Sequence, residues 1–232
     1  MFDFIRKPEI WDALGKGWRK TLSEKRPFDL KTIQDLAAYR LLHASVGLDI
    51  AEAGGGDSRL LRALAWRNRC VNIDKFEGAD GGPGKEVKRR GVANVRAFLG
   101  EFDERLRPES FDIVFSISVV EHLPMKNLGA FFEDGMRILR PGGMWLHAID
   151  VYLEDEPSAD VLARIDVYRA WARREGALDP VGPVFEGKPR FACDMATNPD
   201  NIMYEWGAIA PALIERRQRA QSVSLLVASR KR

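Results

Sequence analysis

Residue types that build metal centres and disulfide frameworks are scarce in this sequence. Among its 232 residues there are three histidines and two cysteines, Cys70 and Cys193, which lie far apart in the chain. The chain has no Cys/His cluster of the kind that holds structural zinc, which argues against such a site. Cys70 begins an apolar segment, so we interpret it as a thiol of the core.

Long apolar runs and an excess of one charge are also missing. No stretch is long enough to cross a bilayer, and residues 1–11 lack the apolar core of a signal peptide. The 36 Lys and Arg residues nearly balance the 34 Asp and Glu residues, and a net charge of +2 disfavours a nucleic-acid partner. With 45% hydrophobic residues, the chain is expected to form a cytoplasmic domain with a sizeable core.

The most informative segment is 46–61, VGLDIAEAGGGDSRLL. A short apolar run ends at Glu52, three glycines follow (Gly54, Gly55 and Gly56), and apolar residues then recur at helical spacing. This pattern predicts a strand, a tight turn and the start of a helix. Glycines let the backbone approach a ligand, and a helix start presents free N–H groups to it. The segment therefore predicts a nucleotide-type cofactor site.

The same segment disfavours a dinucleotide. The dinucleotide fingerprint has a third glycine early in the helix, where this chain has Asp57, Ser58 and Arg59. Glu52 would also repel a pyrophosphate. A nicotinamide dehydrogenase is thus the weakest interpretation, and a glycine-rich turn without a ligand is the alternative.

Four further strand-like segments follow in an α/β order. They are CVNID (70–74), NVRAFLGEF (94–102), FDIVFSISVVEHLP (111–124) and MWLHAID (144–150). A helical pattern separates the last two and stops at the RPGG sequence of residues 140–143, which cannot continue a helix. Asp74 follows the glycines by about 20 residues, where an acid meets ribose hydroxyls in βαβ nucleotide sites.

In this order and spacing the chain resembles the class I S-adenosylmethionine-dependent methyltransferases over residues 45–150. The matching stretches are EAGGGDS (52–58), Asp74, Gly100-Glu101, FDIVFS (111–116) with EHL (121–123), and ILRPGG (138–143). Ser58 replaces a glycine that many members have. The resemblance implies an α/β fold with a Rossmann-like, seven-stranded, mostly parallel sheet, helices on both faces and an antiparallel last strand. It also implies S-adenosylmethionine as the cofactor.

The resemblance further implies a role for each matching residue. Glu52 would face the methionyl amino group, Asp74 the ribose hydroxyls and Glu101 the adenine amino group. The methionyl carboxylate would lie near the helix that follows the glycines. Backbone carbonyls at the end of the fourth strand would lie beneath the sulfonium. The cofactor-binding residues implied are Glu52, Gly54, Gly55, Gly56, Ser58, Asp74, Lys75, Glu101, Phe102, Ser116 and Ile117.

We expect residues 1–232 to form a single methyltransferase domain in three parts. Residues 1–44 form a helical cap, with one helical pattern from Trp11 to Leu22 and a second helix capped by Asp29. The cap either helps to cover the cofactor or pads the sheet edge. Residues 45–150 form the cofactor-binding core. Residues 151–232 form the substrate-side half, with a helix opened by PS (157–158), a loop at 176–190, and strands at FACDM (191–195) and QSVSLLVAS (221–229).

Three residues are candidates for catalysis. His122 and His147 lie at cofactor-side strand ends, and histidine titrates near neutral pH, so either can be a general base. Asp150 ends the fifth strand and is expected to face the acceptor. Either histidine can instead be structural. A divalent cation on His147, Asp150 and Asp155 is an alternative that the spacing disfavours, so no metal is predicted.

The class of acceptor is inferred partly from two motifs that the sequence lacks. Residues 116–122 do not carry the Asn/Asp-Pro-Pro-aromatic loop typical of methylation on base or glutamine amino groups, and no Pro-Cys nucleophile is present. The EHL sequence is typical of small-molecule and glycan enzymes, and HAIDVYLED resembles methyltransferase domains encoded with bacterial surface-polysaccharide enzymes. We therefore predict O-methylation of a sugar, glycan or other small metabolite. A nucleic-acid or protein methyltransferase and a non-catalytic S-adenosylmethionine-binding protein remain open.

Overall fold

The fold is built on one mixed sheet that helices cover on both faces. The computed structural model describes residues 1–22, 28–78, 82–174, 176–191, 198, 201–204 and 219–232. Within them the strands are β1 (Phe2–Phe4), β2 (Asp49–Ala53), β3 (Arg69–Ile73), β4 (Val92–Val95), β5 (Phe111–Ile117), β6 (Leu139–Glu154), β7 (Leu178–Pro180) and β8 (Ala220–Lys231). The helices are α1 (Lys7–Gly15), α2 (Trp18–Thr21), α3 (Leu30–Leu42), α4 (Arg59–Leu64), α5 (Met125–Ile138) and α6 (Ala159–Ala172).

The strand order is β1-β8-β6-β5-β2-β3-β4, with β7 also pairing with β8. The pairs between β6 and β4 in this order are all parallel, whereas β8 runs antiparallel to β6. The prediction of a Rossmann-like, mostly parallel sheet with an antiparallel last strand is confirmed. The described part of the sheet has eight strands because two short strands, β1 and β7, join the free edge of β8.

The free edge of β8 is covered by elements that the sequence patterns did not show. Residues 2–4 form β1 and pair with residues 225–227, and β7 continues along residues 229–231. The predicted helical cap therefore begins with a strand, which at three residues is too short to carry a periodic pattern. Of the strand predicted at 191–195, Phe191 lies outside any strand and 192–195 fall outside the described residues.

Two apolar layers hold the helices on the sheet. One face packs against α1, α3 and α4 through buried residues such as Ile33, Leu61 and Phe115. The opposite face packs against α5 and α6 through Phe131, Trp145 and Trp171. Because side chains alternate along each strand, both faces of the central strands are apolar, as expected for buried parallel strands.

Side-chain caps mark the start of three of the six described helices. The side chains of Asp29, Ser58 and Ser158 accept hydrogen bonds from the N–H groups of Thr32, Leu61 and Val161, and so cap α3, α4 and α6. The single helical pattern predicted from Trp11 to Leu22 is interrupted because Gly17 adopts a φ of +72°, which ends one helix and starts the next. In the described part of the chain no helix is both long and apolar enough to cross a membrane.

Strand ends differ from the sequence prediction near the site. Segment 94–102 was expected to be a strand, but β4 ends at Val95, and Ala97 N–H turns back to the Val95 carbonyl at 2.9 Å. The following residues form a loop in which Gly100 and Phe102 have φ values of +110° and +55°. This loop leaves the sheet edge and forms a wall of the cavity described below.

Helix α5 packs against the sheet at a position where a methyl group does not fit. A Cβ on Gly135 would lie 2.2 Å from the ring of fully buried Trp145, whereas a Cβ on Gly129 of the same helix meets nothing within 4 Å. We expect Gly135→Ala to lower the free energy of unfolding by roughly 1–3 kcal/mol through overpacking.

The matched control is Gly129→Ala, which should raise stability by roughly 0.5–1 kcal/mol because alanine favours the helix. Urea unfolding of both variants measures the difference. Equal stability of the two variants would contradict this account of the packing.

Candidate cofactor site

A cavity of about 790 Å³ opens at the carboxyl ends of the central strands. It is lined at the end of β2 by Glu52 and Ala53, at the end of β3 by Ile73, and at the end of β5 by Ile117. Strand β2 pairs with β3 on one side and β5 on the other, so the connections leave it in opposite directions. Ligands of open α/β sheets bind at such a switch point.

The turn after β2 has a conformation and close contacts that require glycine at these three positions. Gly54 and Gly56 have φ values of +68° and +53°. A Cβ on Gly54 would lie 2.7 Å from Val119 Cγ2, and one on Gly55 would lie 2.7 Å from Asn72 Oδ1 and 2.9 Å from Glu52 Cδ. The turn is thus a backbone cradle that side chains would fill.

Asp74 is held by this turn. Its Oδ2 accepts the Gly56 N–H at 2.9 Å and its Oδ1 accepts the Phe76 N–H at 2.6 Å. Each carboxylate oxygen has a second lone pair, so both can accept another hydrogen bond from the cavity, which Asp74 lines. The structure therefore places Asp74 beside the glycines, as the sequence predicted.

Glu52 is a buried acid at the floor of the cavity. Only 4% of the residue is exposed, and no hydrogen-bond partner for its Oε2 is found among the described residues. Burial raises the pKa of Glu52 to about 8. The carboxyl is therefore mostly protonated near neutral pH, and a cation bound beside it would favour the charged form.

The loop after β4 forms the opposite end of the cavity. Glu101 lines it and pairs with Lys75, with Glu101 Oε1 at 2.5 Å from Lys75 Nζ. Phe98 lines the cavity, whereas Phe102 is 45% exposed and stands outside the described lining. The aromatic residue of this wall is Phe98, and the geometry does not favour the predicted role of Phe102 in cofactor binding.

Ser116 and Ile117 occupy different positions although they are adjacent. Ile117 lines the cavity, but the Ser116 side chain is fully buried on the other side of the strand, with its Oγ 2.6 Å from His147 Nδ1. The next residue, Ser118, lines the cavity with a φ of +51°. Sequence reasoning missed Ser118, for which the only signal was its place at the end of an apolar run.

Ser118 is connected to a polar network behind the cavity. Its hydroxyl donates to Gln34 Oε1 at 2.6 Å, and the Gln34 amide donates to Asp150 and, at 3.0 Å, to Ser224 Oγ. Asp150 therefore reaches the cavity through Ser118 and Gln34 rather than by lining it. Gln34 belongs to α3, so the amino-terminal part of the chain contributes directly to this end of the site.

Helix α3 also adds charge to the cavity. Lys31 and Asp35 line it, and Asp35 pairs with Arg59 at the start of α4. The sequence prediction left open whether the amino-terminal helices cover the cofactor or only pad the sheet. The structure places one of them, α3, in the wall of the cavity.

His122 and Glu121 follow β5 in a short 3-10 helix, Val120–His122. His122 is exposed and lines the cavity, with its Nε2 3.9 Å from Glu121 Oε1. Both carboxylate oxygens of Glu121 are buried without a hydrogen-bond partner among the described residues. Burial, with a further contribution from Asp150, raises the pKa of Glu121 to about 8. Glu121 was part of a quoted motif, but sequence reasoning gave it no role.

His147 lies in the core rather than in the site. It is fully buried, with its ring centroid 3.9 Å from that of Trp145 and 5.7 Å from that of Phe131. Burial lowers the pKa of His147 to about 3. Because residues 147 and 150 differ by an odd number along β6, they face opposite sides of the sheet. The structure does not bring His147 to the cavity, which contradicts its placement beside the acceptor.

The described residues show no grouping of three or more His, Cys, Asp or Glu side chains suited to a metal ion. His147 and Asp150, two members of the alternative cation site, lie on opposite faces of β6.

Comparisons with known proteins agree with this architecture. Residues 48–146 match the family model described as a methyltransferase domain. A search of curated protein sequences returned no match to the chain.

Solved structures with this fold include phosphoethanolamine N-methyltransferase 2 of Haemonchus contortus. Its complex with S-adenosyl-L-methionine has a TM-score of 0.56 at 14% identity and covers 94% of this chain and 57% of that one. Its complex with phosphomonomethylethanolamine and S-adenosylhomocysteine has a TM-score of 0.57 at 14% identity, with 95% and 58% covered. This chain thus spans less than two thirds of that protein's length.

A second relative of similar size is the N-methyltransferase NodS from Bradyrhizobium japonicum, in complex with S-adenosylhomocysteine. Its TM-score is 0.51 at 15% identity, and the alignment covers 93% of this chain and 97% of that chain. The chain therefore has the class I methyltransferase fold. Residues 48–146 match the model of a methyltransferase domain, and the fold is that of the S-adenosylmethionine- and S-adenosylhomocysteine-bound structures above.

The buried His147 predicts a specific loss of stability in acid. The folded protein keeps it neutral to about pH 3, whereas the unfolded chain protonates it near 6.5, so stability from this group is complete above pH 6.5 and falls as pH drops. Between pH 6.5 and 4.5 the loss is roughly 2–3 kcal/mol. We expect His147→Gln to remove this part of the pH dependence in chemical unfolding measurements.

The control is His43→Gln, which changes an exposed histidine and should keep the dependence of the parent protein. If His147→Gln retained the full slope, the neutral, buried state of His147 would be disproved.

Proposed function

We propose that this chain transfers the methyl group of S-adenosylmethionine to a small-molecule acceptor, most specifically to a hydroxyl of a sugar or another small metabolite. The observation that carries the proposal is the placement of three acids along one cavity. Glu52, Asp74 and Glu101 follow or end neighbouring strands and all line it. They match in order the amino, ribose hydroxyl and adenine amino donors of this cofactor.

The described residues fit the cofactor chemically. Glu52 has a buried oxygen without a partner, which an ammonium group would satisfy. Asp74 is already oriented by two backbone N–H groups and can accept from two neighbouring hydroxyls. Lys31 lines the cavity and adds a positive charge on the side of Glu52, which could pair with the methionyl carboxylate. Ser58 lines the cavity as well, and its hydroxyl caps α4.

The bound cofactor supplies a methyl carbon activated by the sulfonium. Transfer forms a bond from the acceptor atom to that carbon as the carbon–sulfur bond breaks, and the acceptor proton goes to a base. The chain's own contribution is to hold the partners in line, since proximity and orientation can supply up to about 7–11 kcal/mol in ideal cases. Ile117 ends β5 and Ser118 follows it; both line the cavity, and we assign them to the side where the acceptor binds.

For a hydroxyl acceptor, we assign the base to His122. It lines the cavity and is exposed, so it can take a proton and pass it to solvent. A protonated His122 would favour the ionised form of Glu121, whose Oε1 lies 3.9 Å from His122 Nε2, and the two would then stabilise each other. Asp150 acts indirectly, by orienting Ser118: its Oδ1 accepts the Ser118 hydroxyl at 3.2 Å and also the Gln34 amide.

An amine acceptor is the second candidate, and Glu121 is the observation that favours it. Both of its oxygens are buried without a partner in the described residues, beside a second acid, Asp150. An ammonium or amine group would give these oxygens a hydrogen-bond donor and would favour the ionised carboxylate. The fold accommodates such acceptors, since the two relatives named above are N-methyltransferases.

Cofactor binding should release a proton from Glu52. Near pH 6.5 the buried carboxyl is protonated in the free protein, and the methionyl ammonium would ionise it, so binding of S-adenosylhomocysteine should release roughly one proton. Calorimetric titrations in buffers of different ionisation enthalpy measure this number.

Glu52→Gln should abolish the release, whereas Glu77→Gln, at an exposed residue of the same cavity, should keep it. Binding without proton release, or release that persists in Glu52→Gln, would contradict the role of Glu52.

The two acceptor classes predict different effects of substitutions at His122 and Glu121. Methyl transfer from S-adenosylmethionine should be measured with nucleotide sugars, glycans and small amines. With a hydroxyl acceptor, His122→Asn should lower kcat by about 10²–10⁴-fold without changing S-adenosylhomocysteine affinity. His43→Asn, far from the cavity lining, should be unaffected.

Glu121→Gln separates the candidates. It should chiefly raise KM for an amine acceptor, because the lost interaction is binding rather than proton transfer. Transfer to amines alone, with His122→Asn fully active, would refute the hydroxyl proposal.

A further inference from the structure

The loop that carries Glu101 is fixed by a buried acid of α5. Asp134 is completely buried, and its Oδ2 accepts the backbone N–H groups of Gly100 at 2.7 Å and Phe102 at 3.0 Å. These are the two residues on either side of Glu101. One carboxylate oxygen therefore holds both flanks of the residue that lines the far end of the cavity.

Arg137 completes the attachment one helical turn later. Its Nε and Nη2 donate to Asp134 Oδ1 at 2.9 and 2.7 Å. The same guanidinium donates to the carbonyls of Leu106 at 2.5 Å and Asp103 at 3.3 Å. It therefore neutralises the buried acid and ties the chain after Glu101 to α5 as well.

The loop adopts a conformation that needs such support. Gly100 and Phe102 have φ values of +110° and +55°, and the second is unfavourable for a residue with a side chain. The loop also lies directly on α5, since a Cβ on Gly100 would be 3.1 Å from the Phe131 nitrogen. Its backbone is thus held by the Asp134 hydrogen bonds and by contact with the helix, while the Glu101 side chain lies 2.5 Å from Lys75 at the cavity.

We infer that Asp134, supported by Arg137, is a positioning residue that sets Glu101 for recognition of the exocyclic amino group of a purine base. The inference rests on the proposed function, because it assumes the base lies beside Glu101. Asp134 does not touch the ligand itself; it fixes the backbone on both sides of the residue that does. Its loss should therefore reduce discrimination between bases, and not only the affinity for every ligand.

The test compares two ligands that differ at one group of the base. S-adenosylhomocysteine has the exocyclic amino group, whereas S-inosylhomocysteine has an oxygen there. For Asp134→Asn, we expect affinity for the first ligand to fall roughly 10- to 100-fold, as for a lost hydrogen bond to a charged group, and affinity for the second to change less than about 3-fold. Glu101→Gln sets the benchmark, and the double variant should lose little more than Glu101→Gln alone.

Glu133→Gln is the matched control, since it changes an exposed acid of the same helix and should leave both affinities unchanged. A second variant, Arg137→Lys, keeps the positive charge but loses the two-point contact with Asp134. If Asp134→Asn does not fold, Arg137→Lys replaces it in the test, and it should reduce discrimination between the two ligands in the same direction.

The outcomes distinguish failure of the proposed function from failure of the role assigned to Asp134. If the parent protein binds neither ligand, the proposed function fails and the inference fails with it. If the parent protein prefers S-adenosylhomocysteine but folded Asp134→Asn or Arg137→Lys loses affinity for both ligands equally, only the inference is overturned, and the pair merely stabilises the fold.

Discussion

The site depends on the parallel pairing of β2 with β3 on one side and with β5 on the other. This arrangement brings the carboxyl ends of three strands to one edge and leaves a crevice between their connections. Side chains that are distant in sequence meet there only because the strands are in register. The glycine turn after β2 then fits between Val119 and Asn72, so the close approach that forms the cavity excludes larger residues.

The buried acids in and beside the cavity differ in whether their oxygens already have hydrogen-bond partners. Burial favours the neutral forms of Glu52 and Glu121, which both have oxygens without partners among the described residues. Leaving such groups unsatisfied reduces stability, and a cation or hydrogen-bond donor would recover that loss. Asp74 and Asp134 differ, because backbone N–H groups already hold their oxygens. Glu52 is suited to a charged group, Asp74 keeps lone pairs for hydroxyl donors, and Asp134 orients the loop around Glu101.

Sequence patterns predicted the fold, and they selected residues that the structure brings to one cavity, because both follow from local signals. The glycines, the apolar strands and the Asp29 cap each act through the backbone or the nearest neighbours. The acceptor end was predicted less well because it depends on which face each residue takes. His147 is close to Asp150 in sequence, yet strand alternation turns it into the core beside Trp145. The odd spacing between His147 and Asp150 would have shown, from the sequence, that the two side chains face opposite sides of the strand. The contribution of Gln34 had no local signal, since it arises from the docking of α3.

The central claim is that one cavity holds S-adenosylmethionine along Glu52, Asp74 and Glu101. A crystal structure of the chain with S-adenosylhomocysteine tests it most directly. The account predicts the ribose hydroxyls within hydrogen-bond distance of Asp74, the amino group beside Glu52 and the base beside Glu101. A ligand bound elsewhere, in the reverse orientation, or absent from the cavity at saturating concentration would contradict it.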